Sequence, residues 1–205
     1  MRPLTDNTPK PLLRVDGRAL IEWHLYALSK SGIVDIVINV AHLGEQIENA
    51  LGDGSRYGVN ISYSREASAL ETAGGIIQAL PLLGRDDFIV VNGDIHTDFD
   101  FSGLVARKPP ARGAHLVMVD TPDYKDKNDF YLGSEGVLST ESPGQALTYA
   151  GIARFTTAFF ASLLDGKQAL APLLIDAMQL SRVSGEYYAG RWHDVGTPER
   201  LEQLQ

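Results

Sequence analysis

The sequence predicts an α/β fold with three layers, helices on both faces of a mixed, mainly parallel sheet. Two observations carry that expectation. Short runs rich in β-branched residues, such as IVDIVINV (33–40) and DFIVVNGD (87–94), alternate with segments whose apolar residues recur at helical spacing. Strands and helices alternating at that length build βαβ units, whose crossover helices cover both faces of a parallel sheet. Composition adds a third: 205 residues, 44% hydrophobic and 21% charged, suit one well-filled core, so a single domain over 1–205 is expected.

Along the chain, MRPLTDNTPKPL (1–12), with prolines at 3, 9 and 11, reads as a loop already under way. ALIEWHLYALSKSG (19–32) places Leu20, Ile21, Leu25 and Leu28 on one helical face and ends at Gly32, a C-cap. IVDIVINV is expected to be a strand buried on both faces. GEQIENALG (44–52) reads as a short helix and VNISYS (59–64) as a strand. ETAGGIIQALPLLG (71–84) reads as a helix with Thr72 as its N-cap, and DFIVVNGD as another buried strand ending at Gly93 and Asp94. The second half changes character. AHLVMVD (114–120) is a strand, whereas DFYLGSEGVLS (129–139) and LTYAGIARF (147–155) look like antiparallel excursions. Helices follow at AFFASLLDG (158–166) and LAPLLIDAMQ (170–179), then VSGEYYAGRWHDVG (183–196) and a terminal helix from Thr197.

The formal net charge is −8, and no window packs Lys and Arg as a phosphate-tracking surface requires. Nucleic acid and anionic membrane are therefore not expected as partners. Small phosphorylated anions remain, at a local site where backbone N–H groups, a few cations or a metal override the overall field. With no cysteine there is neither a disulfide framework nor a thiolate nucleophile. No apolar run approaches a membrane span or signal-peptide core, and a cytoplasmic location is expected.

Four pieces could carry chemistry. Asp94 follows a buried strand and a glycine, at the strand's carboxyl end where open α/β sheets bind ligands; it is either a turn residue or a magnesium ligand. Asp194 in RWHDVGTPERL precedes the helix cap Thr197 by three residues and is free to face a cleft, so two carboxylates from distant strand ends could share one cation. LETAGGI (70–76) is an ordinary capped helix with glycines for close packing, or a backbone surface for a flat ligand. Lys10, held between Pro9 and Pro11, is a solvated lysine or a fixed positive charge for phosphates. The five histidines show no ligand spacing.

In this order the pieces resemble the sugar-1-phosphate nucleotidylyltransferases. The chain has Met1-Arg2-Pro3-Leu4-Thr5 and Pro9-Lys10-Pro11-Leu12, the second half of that family's opening signature. It also has Leu70 to Gly75, Val91-Asn92-Gly93-Asp94, Tyr149-Ala150-Gly151-Ile152 and Trp192-His193-Asp194-Val195-Gly196-Thr197. The resemblance implies a Rossmann-like domain in which a sugar 1-phosphate attacks the α-phosphorus of a nucleoside triphosphate, expected to be UTP, and pyrophosphate leaves. It implies that Asp94 and Asp194 hold Mg2+ and that Lys10 contacts phosphate oxygens. Glu71, Ala73, Gly74, Gly75, Asn92 and Gly93 would face the nucleotide, with Gly74 against the base, and Asp129, Tyr149 and Gly151 would lie along the sugar. Other sugars (glucose or mannose 1-phosphate), other nucleotides (dTTP or GTP) and a non-catalytic nucleotide-sugar binding module are the alternatives.

The chain departs from that pattern in two places. Glu141-Ser142-Pro143 stands where many relatives have Glu-Lys-Pro, which removes a cation from the sugar phosphate. The first strand, the glycine-rich turn and an arginine that precede Met1 in the signature are absent, so this portion is expected to lack a phosphate loop and, with it, activity. No appended hexapeptide-repeat domain is expected.

Overall fold

The computed structural model describes Met1 and residues 4–205; Arg2 and Pro3 of the opening motif lie outside the described residues. The chain begins with α1 (Leu4–Asn7), a 3₁₀ turn at Lys10–Leu12, β1 (Arg14–Val15), β2 (Arg18–Ala19), α2 (Leu20–Lys30), β3 (Asp35–Val40), α3 (Gly44–Leu51), β4 (Asn60–Arg65) and α4 (Glu71–Leu83). It continues through β5 (Phe88–Val91), β6 (Ile95–Thr97), α5 (Phe101–Ala106), β7 (Ala114–Val119), β8 (Phe130–Leu132), β9 (Leu138–Ser139) and β10 (Gln145–Phe155). α6 (Thr157–Phe160), α7 (Leu170–Gln179), β11 (Val183–Tyr187), β12 (Trp192–Asp194) and α8 (Pro198–Glu202) complete it.

The fold is mixed α/β, but the expected mainly parallel sheet is not what forms. Only β3–β4 and β7–β11 pair in parallel; every other described strand pairing is antiparallel. The cause is β10. Its eleven residues contain the LTYAGIARF run, read from sequence as an excursion, yet it runs through the middle of the main sheet. It pairs antiparallel with β5 on one side, with β7 on the other and with β8 at its start.

Alternation along β7 shows how the layers form. Leu116 and Met118 join Ile76, Ile77, Phe155 and Leu174 in one cluster, under α4 and α7. Val117 and Val119 join Leu28, Phe101, Leu104 and Ile152 in another, under α2 and α5. All six β7 residues are buried, as a strand covered on both faces requires. Phe88, Phe155 and Phe160 stack in the first cluster, with ring centroids 5.2 to 6.1 Å apart.

Several local expectations hold, and others are corrected. α2 ends in a Schellman turn: Gly32 has φ +82°, its N–H donates to Ser29 O, and the Ile33 N–H donates to Leu28 O. The Thr197 hydroxyl accepts from the Arg200 N–H at the start of α8 (3.3 Å). Thr72, by contrast, does not cap α4, which begins at Glu71. The orphan N–H groups of Ala73 and Gly74 instead donate to Gln168 O, both at 3.1 Å, so a loop carbonyl replaces a side-chain cap. AFFASLLDG yields only the single turn of α6.

IVDIVINV is not buried on both faces either: in β3, Asp35 and Asn39 are exposed. The reason is a split in the sheet. Among the described residues β3 pairs only with β4, and β5 only with β10. Between them lies a slot of about 510 Å³ that Ile38 and Asn39 line opposite Val91 and Gly93. It continues as a cavity of about 420 Å³ that Asp35 and Val37 line opposite Asp87 and Ile89. β3 and β5 therefore run in the same direction, their free edges facing across a mainly apolar gap.

His24, on the buried face of α2, hydrogen-bonds from Nε2 to Ile95 O (3.0 Å) and so steadies the strand beside Asp94. Burial pushes its pKa down from 6.5 to about 4. Because the folded value is depressed, the unfolded chain takes up this proton first. The contribution to stability is whole above pH 6.5 and is lost as the pH falls toward 4, on the order of 3 kcal/mol in all. In urea unfolding at pH 7 and 4.5, wild type should lose more stability than His24→Gln, which keeps a donor for Ile95 O; equal losses would show that His24 does not titrate in this way.

Candidate active site

The site is built where β5 ends. After Val91, the chain turns through Asn92-Gly93-Asp94 into β6, which pairs antiparallel with β12 in the register Ile95↔Asp194. The Val195 N–H donates to Asp94 O (2.8 Å), so Asp94 and Asp194 sit beside one another on neighbouring segments. Trp192 anchors β12 through its indole N–H to Ala150 O (2.8 Å) and through packing on the cluster beneath α2 and α5. Lys10 reaches the same place from the opening segment, its Nζ 3.4 Å from Asp94 Oδ2. Pro9 holds an extended φ of −65° just before it, and the 3₁₀ turn fixes the approach. Gly93 allows Pro11 close: an added Cβ would meet Pro11 Cγ at 3.2 Å.

Two residues that sequence reasoning did not single out, Arg200 and Tyr124, complete this corner. Arg200 Nη1 lies 2.8 Å from Asp194 Oδ2, and its guanidinium stacks 4.1 Å from the Tyr124 ring centroid. Gly196 makes room for it, since a Cβ there would come within 2.6 Å of Arg200 Nη2. Burial, with the Asp194 carboxylate nearby, holds the Tyr124 phenol above its usual pKa. Tyr124, His193 and Arg200 line a cavity of about 260 Å³ next to Asp194. Arg200 was legible in principle, as the third residue of a helix whose cap follows Asp194 closely; nothing local marks Tyr124.

The donor set suits a hard cation. Magnesium is commonly held by one or two carboxylates, with water and substrate phosphates supplying its other ligands. Asp94 and Asp194 are two carboxylates on adjoining segments, which fits that donor set, and both side chains are about one-third exposed. Among the described residues no group of three His, Cys, Asp or Glu side chains forms a closed cage.

The proposed nucleotide residues fall into two sets. Glu71, Asn92 and Gly93 line the larger slot together. Glu71 has φ +60° and pairs with Lys167 at 3.3 Å. Gly74 faces elsewhere, because a Cβ on it would stand 2.2 Å from Gly166 O; with Ala73 it backs onto the 166–168 turn. Gly75 faces the strand side and is closely packed there, since a Cβ would fall 2.6 Å from both Asn39 Nδ2 and Glu66 Oε1.

Along β10, Gly151 at φ +75° packs directly on Asn92: its carbonyl accepts the Asn92 N–H (2.8 Å) and a Cβ would reach Asn92 Nδ2 at 2.7 Å. Asp129 accepts the Tyr149 N–H (3.0 Å) and pairs with Lys125 at 2.7 Å. The Tyr149 hydroxyl is buried without a hydrogen-bond partner, and burial raises its pKa well above the ordinary value. Lys10 thus meets Asp94, and Asp94 and Asp194 lie on adjoining segments; Gly151, Asn92 and Gly93 adjoin one another; the Asp129 carboxylate holds the Tyr149 N–H.

The fold is shared with solved structures. A Bacillus anthracis chain solved in complex with a sucrose superposes with a TM-score of 0.85 at 20% identity, covering 100% of this chain and 88% of that one. HddC from Yersinia pseudotuberculosis gives 0.79 at 16% identity, covering 97% and 89%. The chain belongs to the nucleotidyl transferase family, whose model matches residues 1–205. It is 50% identical to the N-acetylmuramate alpha-1-phosphate uridylyltransferase of Neisseria meningitidis serogroup B, over 100% of this chain and 91% of the relative. It is 32% identical to the Caulobacter vibrioides protein of the same name, over 97% of this chain and 88% of that relative.

Replacing a helical glycine by alanine ordinarily stabilises by about 1 kcal/mol. Gly74→Ala should instead cost about 1–3 kcal/mol, because the new methyl must displace backbone of the 166–168 turn. Gly103→Ala, where a Cβ meets nothing within 4 Å, is the control in thermal unfolding. Stabilisation by Gly74→Ala would show that the turn yields without cost.

Proposed function

We propose that this chain transfers a uridylyl group from UTP to N-acetylmuramic acid 1-phosphate, releasing pyrophosphate, a step that fits peptidoglycan recycling. The observation that carries the reading is 50% identity along its whole length to a relative named for that reaction. The convergence of Lys10, Asp94 and Asp194 supports it.

A phosphate oxygen of the sugar 1-phosphate attacks the α-phosphorus, a P–O bond forms, and the bond to the pyrophosphate oxygen breaks in line. The nucleophile is already ionised at neutral pH, so no general base is required, and catalysis consists of positioning and charge neutralisation. Mg2+ at Asp94 and Asp194 would supply positive charge to the phosphate oxygens. Lys10, fixed by its flanking prolines, places an ammonium beside them. Glu71, Gly75, Asn92 and Gly93 form the nucleotide side, with Asn92 and Gly93 lining the larger slot, while Ala73 and Gly74 seat the helix against the 166–168 turn. Asp129, Tyr149 and Gly151 form the sugar side, where Tyr149 contributes through its backbone and ring, its hydroxyl being sealed in the core.

The inactivity expected from the opening signature has no support, and purified protein mixed with UTP, Mg2+ and N-acetylmuramic acid 1-phosphate should release pyrophosphate faster than with glucose or mannose 1-phosphate. Turnover only with another pair would reassign the substrate. Asp94→Asn should lower that rate by at least about a hundredfold with little change in melting temperature. A rate within about threefold of wild type would remove Asp94 from the catalytic group.

Residues 1–205 are read as a single domain whose sheet has room for one more strand, such as the strand and glycine-rich turn with which the family's opening signature begins. The slot between β3 and β5 supports it, as two free strand edges running in one direction suit a parallel strand between them. A version extended by an apolar strand and such a turn should melt higher by about 5 °C or more. An unchanged melting temperature would mean that the slot does not take that strand.

A further inference from the structure

Two carboxylates and two permanent or fixed cations meet at this corner, and their charges balance: Asp94 with Lys10 at 3.4 Å, Asp194 with Arg200 at 2.8 Å. In each pair it is Oδ2 that is engaged. The Arg200 contact is the closer and better sheltered, its side chain 23% exposed against 38% for Lys10. A guanidinium does not shed its proton, so it can free Asp194 only by moving. Tyr124 offers a pivot, because the stacked guanidinium can turn away from Asp194 and remain on the ring beside the 260 Å³ cavity. The other carboxylate on that cavity, Asp120, already accepts the Tyr187 hydroxyl at 2.7 Å.

We propose that Arg200 is the counter-cation that Asp194 exchanges for a divalent cation, so that the cation enters together with the nucleotide's phosphates and not ahead of them. The inference rests on the reading of Asp94 and Asp194 as the cation's ligands. A dication arriving alone adds positive charge to a balanced set and displaces Arg200 with no anion to receive it. Arriving with a triphosphate, it brings the phosphate oxygens on which both Arg200 and Lys10 can rest. Cation and nucleotide then assist each other's binding by the same factor. Arg200 is a positioning residue in this account, acting through Asp194.

The test titrates Mn2+ into the protein and follows free Mn2+ by electron paramagnetic resonance, with and without UTP, the UTP-only titration being subtracted. Wild type should bind Mn2+ weakly alone and more tightly with UTP. Arg200→Gln should bind Mn2+ alone about threefold to fivefold more tightly than wild type. That gain should vanish when Asp194→Asn is added. Arg200→Lys, which keeps the charge, should stay close to wild type, and circular dichroism checks that each variant is folded. If Arg200→Gln leaves the affinity for Mn2+ alone unchanged while UTP still recruits Mn2+ to wild type, Arg200 is not the competitor and the carboxylate reading stands. If neither protein holds Mn2+ even with UTP, the carboxylate reading falls and this inference with it.

Discussion

A short antiparallel ladder, Ile95–Thr97 against Trp192–Asp194, joins two stretches of chain that lie far apart in sequence, and the arrangement of the site follows from it. Alone, three residue pairs would be a weak attachment. Here the ladder is pinned from several sides: the Trp192 indole to Ala150 O, the Thr97 hydroxyl to Arg191 O at 2.8 Å, and the Arg191 N–H to the Asp98 carboxylate at 2.8 Å. His24 reaches Ile95 O from beneath. With those anchors the two aspartates are held on adjoining segments by backbone geometry. Lys10 and Arg200 then approach from opposite ends of the chain, each against its own carboxylate.

What the sequence made legible was local. Helix ends with a dedicated residue, Gly32 after α2 and Thr197 before α8, formed where their chemistry placed them. Thr72 failed as a cap because a carbonyl distant in sequence, Gln168 O, already serves the N–H groups it would have taken. The same kind of distant partner explains Gly74, whose missing side chain leaves room for the 166–168 turn. Strand direction was the larger miss. Hydrophobic pattern reports which faces are buried, and β10 is buried on both like a parallel strand, but pattern carries no information about which neighbours a strand takes or in which sense.

The candidate site was legible to a different degree. Asp94 and Asp194 stand out because each ends a strand, and Lys10 because two prolines hold it. Arg200 and Tyr124 do not stand out, since an arginine in a terminal helix and a tyrosine in a polar loop are ordinary surface residues until the fold stacks one upon the other. Tyr149 shows the reverse case: an aromatic residue beside a glycine invites a ligand role, yet its hydroxyl is turned into the core.

The split between β3 and β5 has a mechanical consequence. Among the described residues, no backbone ladder crosses it, so the β3–β4 pair with α3 is joined to the larger sheet by side-chain packing and through α2 and α4. A strand seated between β3 and β5 would supply that ladder and tie the β3–β4 pair to the main sheet. The segment that carries Asn39 and Glu66 and the one that carries Asp94 and Asp194 would then belong to one continuous sheet, and that strand would set the width of the cleft between them.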